Sequence, residues 1–355
     1  MKKLLATRLR QLLLCAGFAL LLVTQTTPAA LRGVWPGRAR YDGESKALTV
    51  RNAHAMVYDS ARGKVVLFGG ADAERVCGDT WEWDGRRWRQ VSSGGPAPRT
   101  FPAMAYDSVR GVTLLFGGNR ALFGKTDNAA NFLNDLWQWD GKQWKELRAV
   151  SPAPRAEAAL AFDSRRARAI LFGGYHQVNG ERRRLGDTWE WDGARWTQAS
   201  ATGPSARNGV AMVYDRGRDR VALFGGNLMN GGGTETWEWD GHAWRRIEVM
   251  TEGRFNPALT YDEARRRVVR FGGWNGKERT GDTWEYDGKT WRPLAVAGPA
   301  ARNHAALVYD RRRKRAILFG GHEGNLVFGD LWEWDGARWR QRIFTKPQAR
   351  LDNGH

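Results

Sequence analysis

The chain has 355 residues, 42% of them hydrophobic and 12% aromatic, and a formal net charge of +18. This apolar and aromatic mass excludes a disordered chain, and the length suits one large domain or two modest ones. Nineteen Trp and 43 Gly are well above ordinary usage and favour strands joined by glycine turns over helices.

At the start of the chain, Lys2, Lys3, Arg8 and Arg10 precede any acidic residue, and Leu12 to Val23 form an apolar run too short to span a membrane comfortably. Small residues follow, with Thr27-Pro28-Ala29 as a cleavage site. Residues 1–29 therefore read as a secretory signal peptide. The expected mature protein is secreted, periplasmic or on the cell surface, with no membrane span. It keeps one cysteine, Cys77, so no internal disulfide is available, and a net charge of about +14. This charge, carried mostly by arginine, suits either a polyanion partner or a solvated basic surface.

The stretch Gly78–Trp88, GDTWEWDGRRW, then opens a series. Its Asp-Thr-Trp-Glu-Trp-Asp-Gly at 79 recurs in variant form at 135, 187, 235, 282 and 330. A Phe-Gly-Gly precedes each copy, beginning at Phe68, Phe116, Phe172, Phe224, Phe271 and Phe319, and an aromatic-Asp pair lies further ahead. In the first copy, HAMVYD, KVVLFGG, DTWEWD and RWRQV read as strands a, b, c and d. Asp84-Gly85 turns c into d, and Gly69-Gly70 ends b where the backbone bends or passes close to a neighbour. Trp81 and Trp83 are two apart and share one face of strand c. Four antiparallel strands repeated about every 50 residues predict an all-β fold, a β-propeller.

The Gly-Gly after an apolar strand, the aromatic pair before Asp-Gly and the later Trp88 with its equivalents resemble the kelch repeat of secreted bacterial proteins. The resemblance covers residues 51–343, as units 51–98, 99–154, 155–206, 207–253, 254–301 and 302–343, followed by a tail, 344–355. Six blades is the main expectation, with no strand exchange needed for closure. A seventh, partial blade is the alternative, because residues 39–50, within the N-terminal segment 30–50, read as another hairpin. Gly69, Gly70, Trp81, Trp83 and Trp88 recur in every unit and are assigned to blade structure and packing.

Strand order puts the b–c and d–a connections on one end, the loop face. The b–c loops are longest in units two and three, 119–134 and 175–186, and insertions on one face of a repeat array usually carry its binding role. Asn119, Phe123, Tyr175 and His176 are candidates there. The residues after Gly-Gly differ between units, which adds Asn227, Trp274 and His322, with Trp274 as a stacking platform for a sugar ring. In the d–a lead-ins, Arg51, Arg99, Arg155, Arg207, Arg254 and Arg302 form a ring suited to an anion, and the resemblance implies such use in some relatives. Arginine at all six positions favours a repeated structural task, such as bonding carbonyls of the next blade.

Enzymatic readings are weaker. Copper radical oxidases of the galactose oxidase type need two tyrosines at the hub, and only Tyr175 lies on the loop face. A sialic-acid epimerase-like enzyme needs an acid/base set, and spacing singles out none of Glu74, Glu181, Glu278 or Glu323. No metal-ligand spacing occurs, and no cofactor is expected. The expectation is a monomeric, non-catalytic scaffold that binds a glycan, peptide or envelope component at the loop face, with a sugar-acting enzyme as the alternative. A second alternative is a polyanion binder using the basic a–b turns 265–267 and 311–315, without sequence-specific nucleic-acid readout.

Overall fold

The computed structural model describes residues 48–122, 128–199, 202–229, 231–248 and 252–349. The expected signal peptide, most of the 39–50 hairpin, Phe123 and the last six residues lie outside them.

Each repeat forms one four-stranded antiparallel sheet with its strands in chain order. The first blade comprises Ala55–Asp59, Lys64–Phe68, Thr80–Trp83 and Trp88–Ser92. The others follow with inner strands Ala103–Asp107, Ala159–Asp163, Asn208–Asp215, Ala258–Asp262 and Ala306–Asp310. These strands a contact one another in sequence, and the last contacts the first, so six blades close around a central channel. Among the described residues no strand is exchanged between blades. Among the described residues no helix is long and apolar enough to cross a membrane.

Strand b is the buried centre of each blade, with Val65 to Phe68 fully covered. Its β-branched and aromatic residues suit a sheet packed on both sides. The hydrophobic core is correspondingly divided into clusters between adjacent blades. Met56, Leu67 and Trp83 of blade 1 pack on Val308, Ile317 and Phe319 of blade 6, and Val57 and Phe68 pack on Leu115 and Trp139 of blade 2.

The three repeated tryptophans have separate tasks. Trp81 donates from Nε1 to Asp79 at the start of its own strand, 2.7 Å. Trp83 is 2% exposed and fills the blade interface. Trp88 pairs with Trp83 across the c–d turn and lays its ring on Phe319 of the preceding blade, centroids 5.3 Å apart. The same contact recurs as Trp144 on Phe68, Trp196 on Phe116, Trp244 on Phe172, Trp291 on Phe224 and Trp339 on Phe271. The double glycine also has a specific cause. Gly70 N–H donates to Arg99 O of the next blade's lead-in. A Cβ on Gly69 would stand 2.7 Å from that same carbonyl, and one on Gly70 would stand 2.5 Å from Asn52 O.

Candidate functional site at the loop-face mouth

The ring of lead-in arginines is buried. Arg51, Arg99, Arg155, Arg207, Arg254 and Arg302 are each 0–2% exposed. Arg99 is representative. Its backbone N–H donates to Cys77 O of the preceding blade, while its guanidinium reaches Gly117 O at 3.0 Å and clamps Asp135 at 2.6 and 2.8 Å. Burial pushes the Asp135 carboxyl up, but the hydrogen bonds and charge of Arg99 outweigh it and hold the group below its usual range. The corresponding acids are Asp79, Asp187, Glu235, Asp282 and Asp330. Each arginine thus ties the backbone of one blade to a carboxylate of the next, and a ligand at this face would meet the guanidiniums only by displacing those carboxylates.

Two residues beyond each arginine the chain turns into the mouth of the channel. Ala53, Phe101, Glu157, Asn256 and His304 all have φ of 53–55°, and the sixth member, Gly209, has φ 62°. The left-handed region is unfavourable for bulky L-residues. A belt of backbone hydrogen bonds holds it: Phe101 N–H donates to Ala53 O, Gly209 to Glu157 O, Asn256 to Gly209 O, and Ala53 to His304 O, at 2.7–3.1 Å. These residues line a cavity of about 130 Å³ at the axis. The backbone repeats six times, yet the side chains are methyl, phenyl, carboxylate, hydrogen, amide and imidazole.

Around this belt stand the residues that follow Gly-Gly, each bridged to the residue after its own lead-in arginine, as in Thr100 with Asn119 and Asn303 with His322. His322 Nδ1 accepts from Gly324 N–H at 3.1 Å, so its Nε2 faces His304 Nδ1 at 2.8 Å as the donor. Asn208 Nδ2 donates to Glu157, and Arg184 Nε donates to Asn208 Oδ1 at 3.0 Å. Trp274 is half-buried, with the Arg279 guanidinium 4.9 Å from its ring and Phe255 beside it. Asn227 is half-buried and pairs with Asn208.

The long loops of blades 2 and 3 pack on each other. Phe132 meets Tyr175 edge to face at 5.2 Å. The third-blade loop forms a hairpin, Tyr175–Val178 with Glu181–Arg184, that carries Arg182 over the Tyr175 ring. Tyr175 and Asn119 are therefore buried. His176 is more accessible, with its pKa lowered by burial and by the charges of Arg155 and Arg183. Among the described residues no group of three or more His, Cys, Asp and Glu could hold a metal ion.

The model of the KLHDC2/KLHL20/DRC7 Kelch-repeats domain matches residues 39–226 and 166–349. The chain belongs to the kelch-repeat family. Among solved structures, the kelch propeller is similar in fold to the one titled "Structure of YjhT", with a TM-score of 0.64 at 13% identity, covering 84% of this chain and 99% of that one. No curated protein matches.

Sequence reasoning missed the kelch mouth belt, although its signal is present. Aligned on the lead-in arginine, the third residues read Ala53, Phe101, Glu157, Gly209, Asn256 and His304. Variation at that position beside an invariant arginine marks it, but only the ring closure shows that all six converge.

Proposed function

We propose that this kelch propeller is an exported, non-catalytic scaffold that holds a carbohydrate at the loop-face mouth. One observation carries the reading: a repeated, strained backbone belt presents six different side chains to one cavity. Identical blades gain nothing structural from such variety, and strained positions cluster where a site must be held in a fixed shape. Trp274 with Arg279 supplies a flat face beside the cavity for a sugar ring. Glu157 and Asn256 line the cavity and supply an acceptor and an amide for hydroxyl groups, and Asn208 holds the Glu157 carboxylate in place.

A glycan array read at two salt concentrations tests this. Binding that persists at high salt and weakens at least tenfold in Trp274→Ala and in Glu157→Gln supports it. No signal, or a signal that neither variant changes, rejects it.

A sugar-acting enzyme is the second reading, and one arrangement favours it. Glu157 belongs to the third blade and His304 to the sixth, so the ring sets a carboxylate opposite an imidazole across the same mouth. Turnover on a panel of sialic acids and galactosides, lost in Glu157→Gln and His304→Gln, would replace the scaffold reading.

A further inference from the structure

The channel opens again at its other end, among the a–b turns. The cavity there has a volume of about 210 Å³, and an apolar cavity of about 150 Å³ already admits a benzene-sized guest. Its walls are mixed: Met56, Leu160, Met212 and Leu307 from the inner strands stand among polar groups such as Thr260 and Tyr261. Its rim is asymmetric. The first turn residue is Ser60 in blade 1 and Ser108 in blade 2, but Arg216, Glu263 and Arg311 in blades 4 to 6.

Two guanidiniums share one carboxylate at this rim. Arg311 holds Glu263 Oε2 at 3.0 and 2.5 Å. Arg216 is looser, with Nε 3.6 Å from Glu263 and Nη2 reaching across the mouth to Ser108 Oγ at 3.4 Å. Charge-assisted bonds are normally about 2.7–2.9 Å, so neither contact saturates the Arg216 fork. Other a–b arginines are committed elsewhere: Arg62, Arg110, Arg166, Arg218, Arg265 and Arg313 each pair with the aspartate that ends their own strand a.

We propose that this end of the channel binds a small amphipathic carboxylate, with its headgroup between Arg216 and Arg311 and its apolar tail in the well. One surplus positive charge at the rim matches a monoanion. The aliphatic part of the wall, Met56, Leu160, Met212 and Leu307, suits a short hydrocarbon chain better than a hydrated phosphate or sulfate. This site is independent of the loop-face reading, because the two cavities occupy opposite ends of the channel.

The test uses the purified protein with ¹³C-methyl-labelled methionine, titrated with hexanoate, hexan-1-ol and inorganic phosphate. Hexanoate is expected to shift the Met56 and Met212 methyl resonances and to leave Met229, in a loop-face connection, unmoved. Hexan-1-ol and phosphate are expected to bind at least tenfold more weakly. Arg216→Gln should weaken hexanoate about tenfold, and Glu263→Gln, which removes the competing carboxylate, should tighten it several-fold. Absence of shifts up to about 10 mM, equal binding of hexanoate and hexan-1-ol, or phosphate binding as tightly as hexanoate would overturn the proposal. So would unchanged affinity in both variants. A thermal melt of each variant identifies any that fails to fold, and the other then decides.

Discussion

Trp144 of the second blade donates from Nε1 to Thr80 Oγ1 of the first at 2.8 Å. The bond recurs as Trp244 to Thr188, Trp291 to Thr236 and Trp339 to Thr283. It fails where the preceding blade carries leucine: Trp88 follows Leu331 and Trp196 follows Leu136, and both indole N–H groups are buried without a hydrogen-bond partner. Leu136→Thr should therefore stabilise the protein by about 0.5–1.5 kcal/mol, and Thr80→Val should destabilise it by about 1–3 kcal/mol. Denaturant unfolding of the two variants checks both. Destabilisation by Leu136→Thr would show that lost leucine packing outweighs the new bond.

The lead-in arginines hold the blades in register. Arg155, fully buried, bonds Gly173 O and clamps Asp187 at 2.7 and 2.8 Å. Arg155→Ala leaves Asp187 facing the gap, and breaking such a pair costs about 3–5 kcal/mol. Lysine cannot reproduce the fork, so Arg155→Lys should recover less than half of that loss in the same unfolding measurement.

The fifth blade departs from the pattern at Arg270. The other blades carry Leu67, Leu115, Leu171, Leu223 or Leu318 at this place in strand b. Arg270 is fully buried, lies over the rings of Phe224 and Trp284 at 4.8 Å, and has Asp282 at 3.5 Å. Its Nε and Nη1 have no hydrogen-bond partner, and burial, only partly offset by Asp282, brings its pKa down to about 9. Asp282 keeps Arg254 and Trp284 as partners, so Arg270→Leu should raise stability by about 1–4 kcal/mol. A lower melting temperature in this variant would contradict the prediction.

His54 is buried against Phe319 with neither ring nitrogen hydrogen-bonded. Burial, then the nearby charge of Arg51, lowers its pKa to about 3. The folded state therefore stays neutral at this site while the unfolded chain takes up a proton below about pH 6.5. Stability is lost as pH falls from about 6.5 towards 3, by about 1.4 kcal/mol for each pH unit. His54→Phe should remove this component. Stability curves between pH 4 and 7 that run parallel for the two proteins would refute the assignment.

The repeat was legible in the sequence because each blade uses the same residues for the same contacts. Gly69-Gly70, Asp84-Gly85 and the three tryptophans are assignable to architecture from recurrence alone, whereas the choice of six blades over seven rests on the contact between the last and first inner strands. The candidate site was less legible. Tyr175 and Asn119 drew notice as variable loop residues, yet both are buried, Tyr175 under its own hairpin. Glu157 and His304 are 147 positions apart in the chain and come together only because the third and sixth blades face each other. The lead-in arginines admit two readings in the sequence, a ligand ring and a structural clamp, and their recurrence at all six positions favours the clamp. Only the positions of Asp79, Asp135 and their equivalents show which carboxylates those guanidiniums hold.

Apart from the Trp–Thr bond that Leu331 removes, the seam between the sixth and first blades uses the contacts of the other seams. Arg51 N–H donates to Phe328 O as Arg99 N–H does to Cys77 O, and Trp88 rests on Phe319 as Trp144 rests on Phe68. Val50 and Thr345 both stand beside Gly329, about 3.1 Å from where its Cβ would be, so the entry and exit of the propeller are neighbours. No blade is therefore privileged as the first. A circular permutant that joins these two points with a short linker and opens the chain at the exposed Ser93–Gly95 segment, between the first two blades, should fold to the same ring.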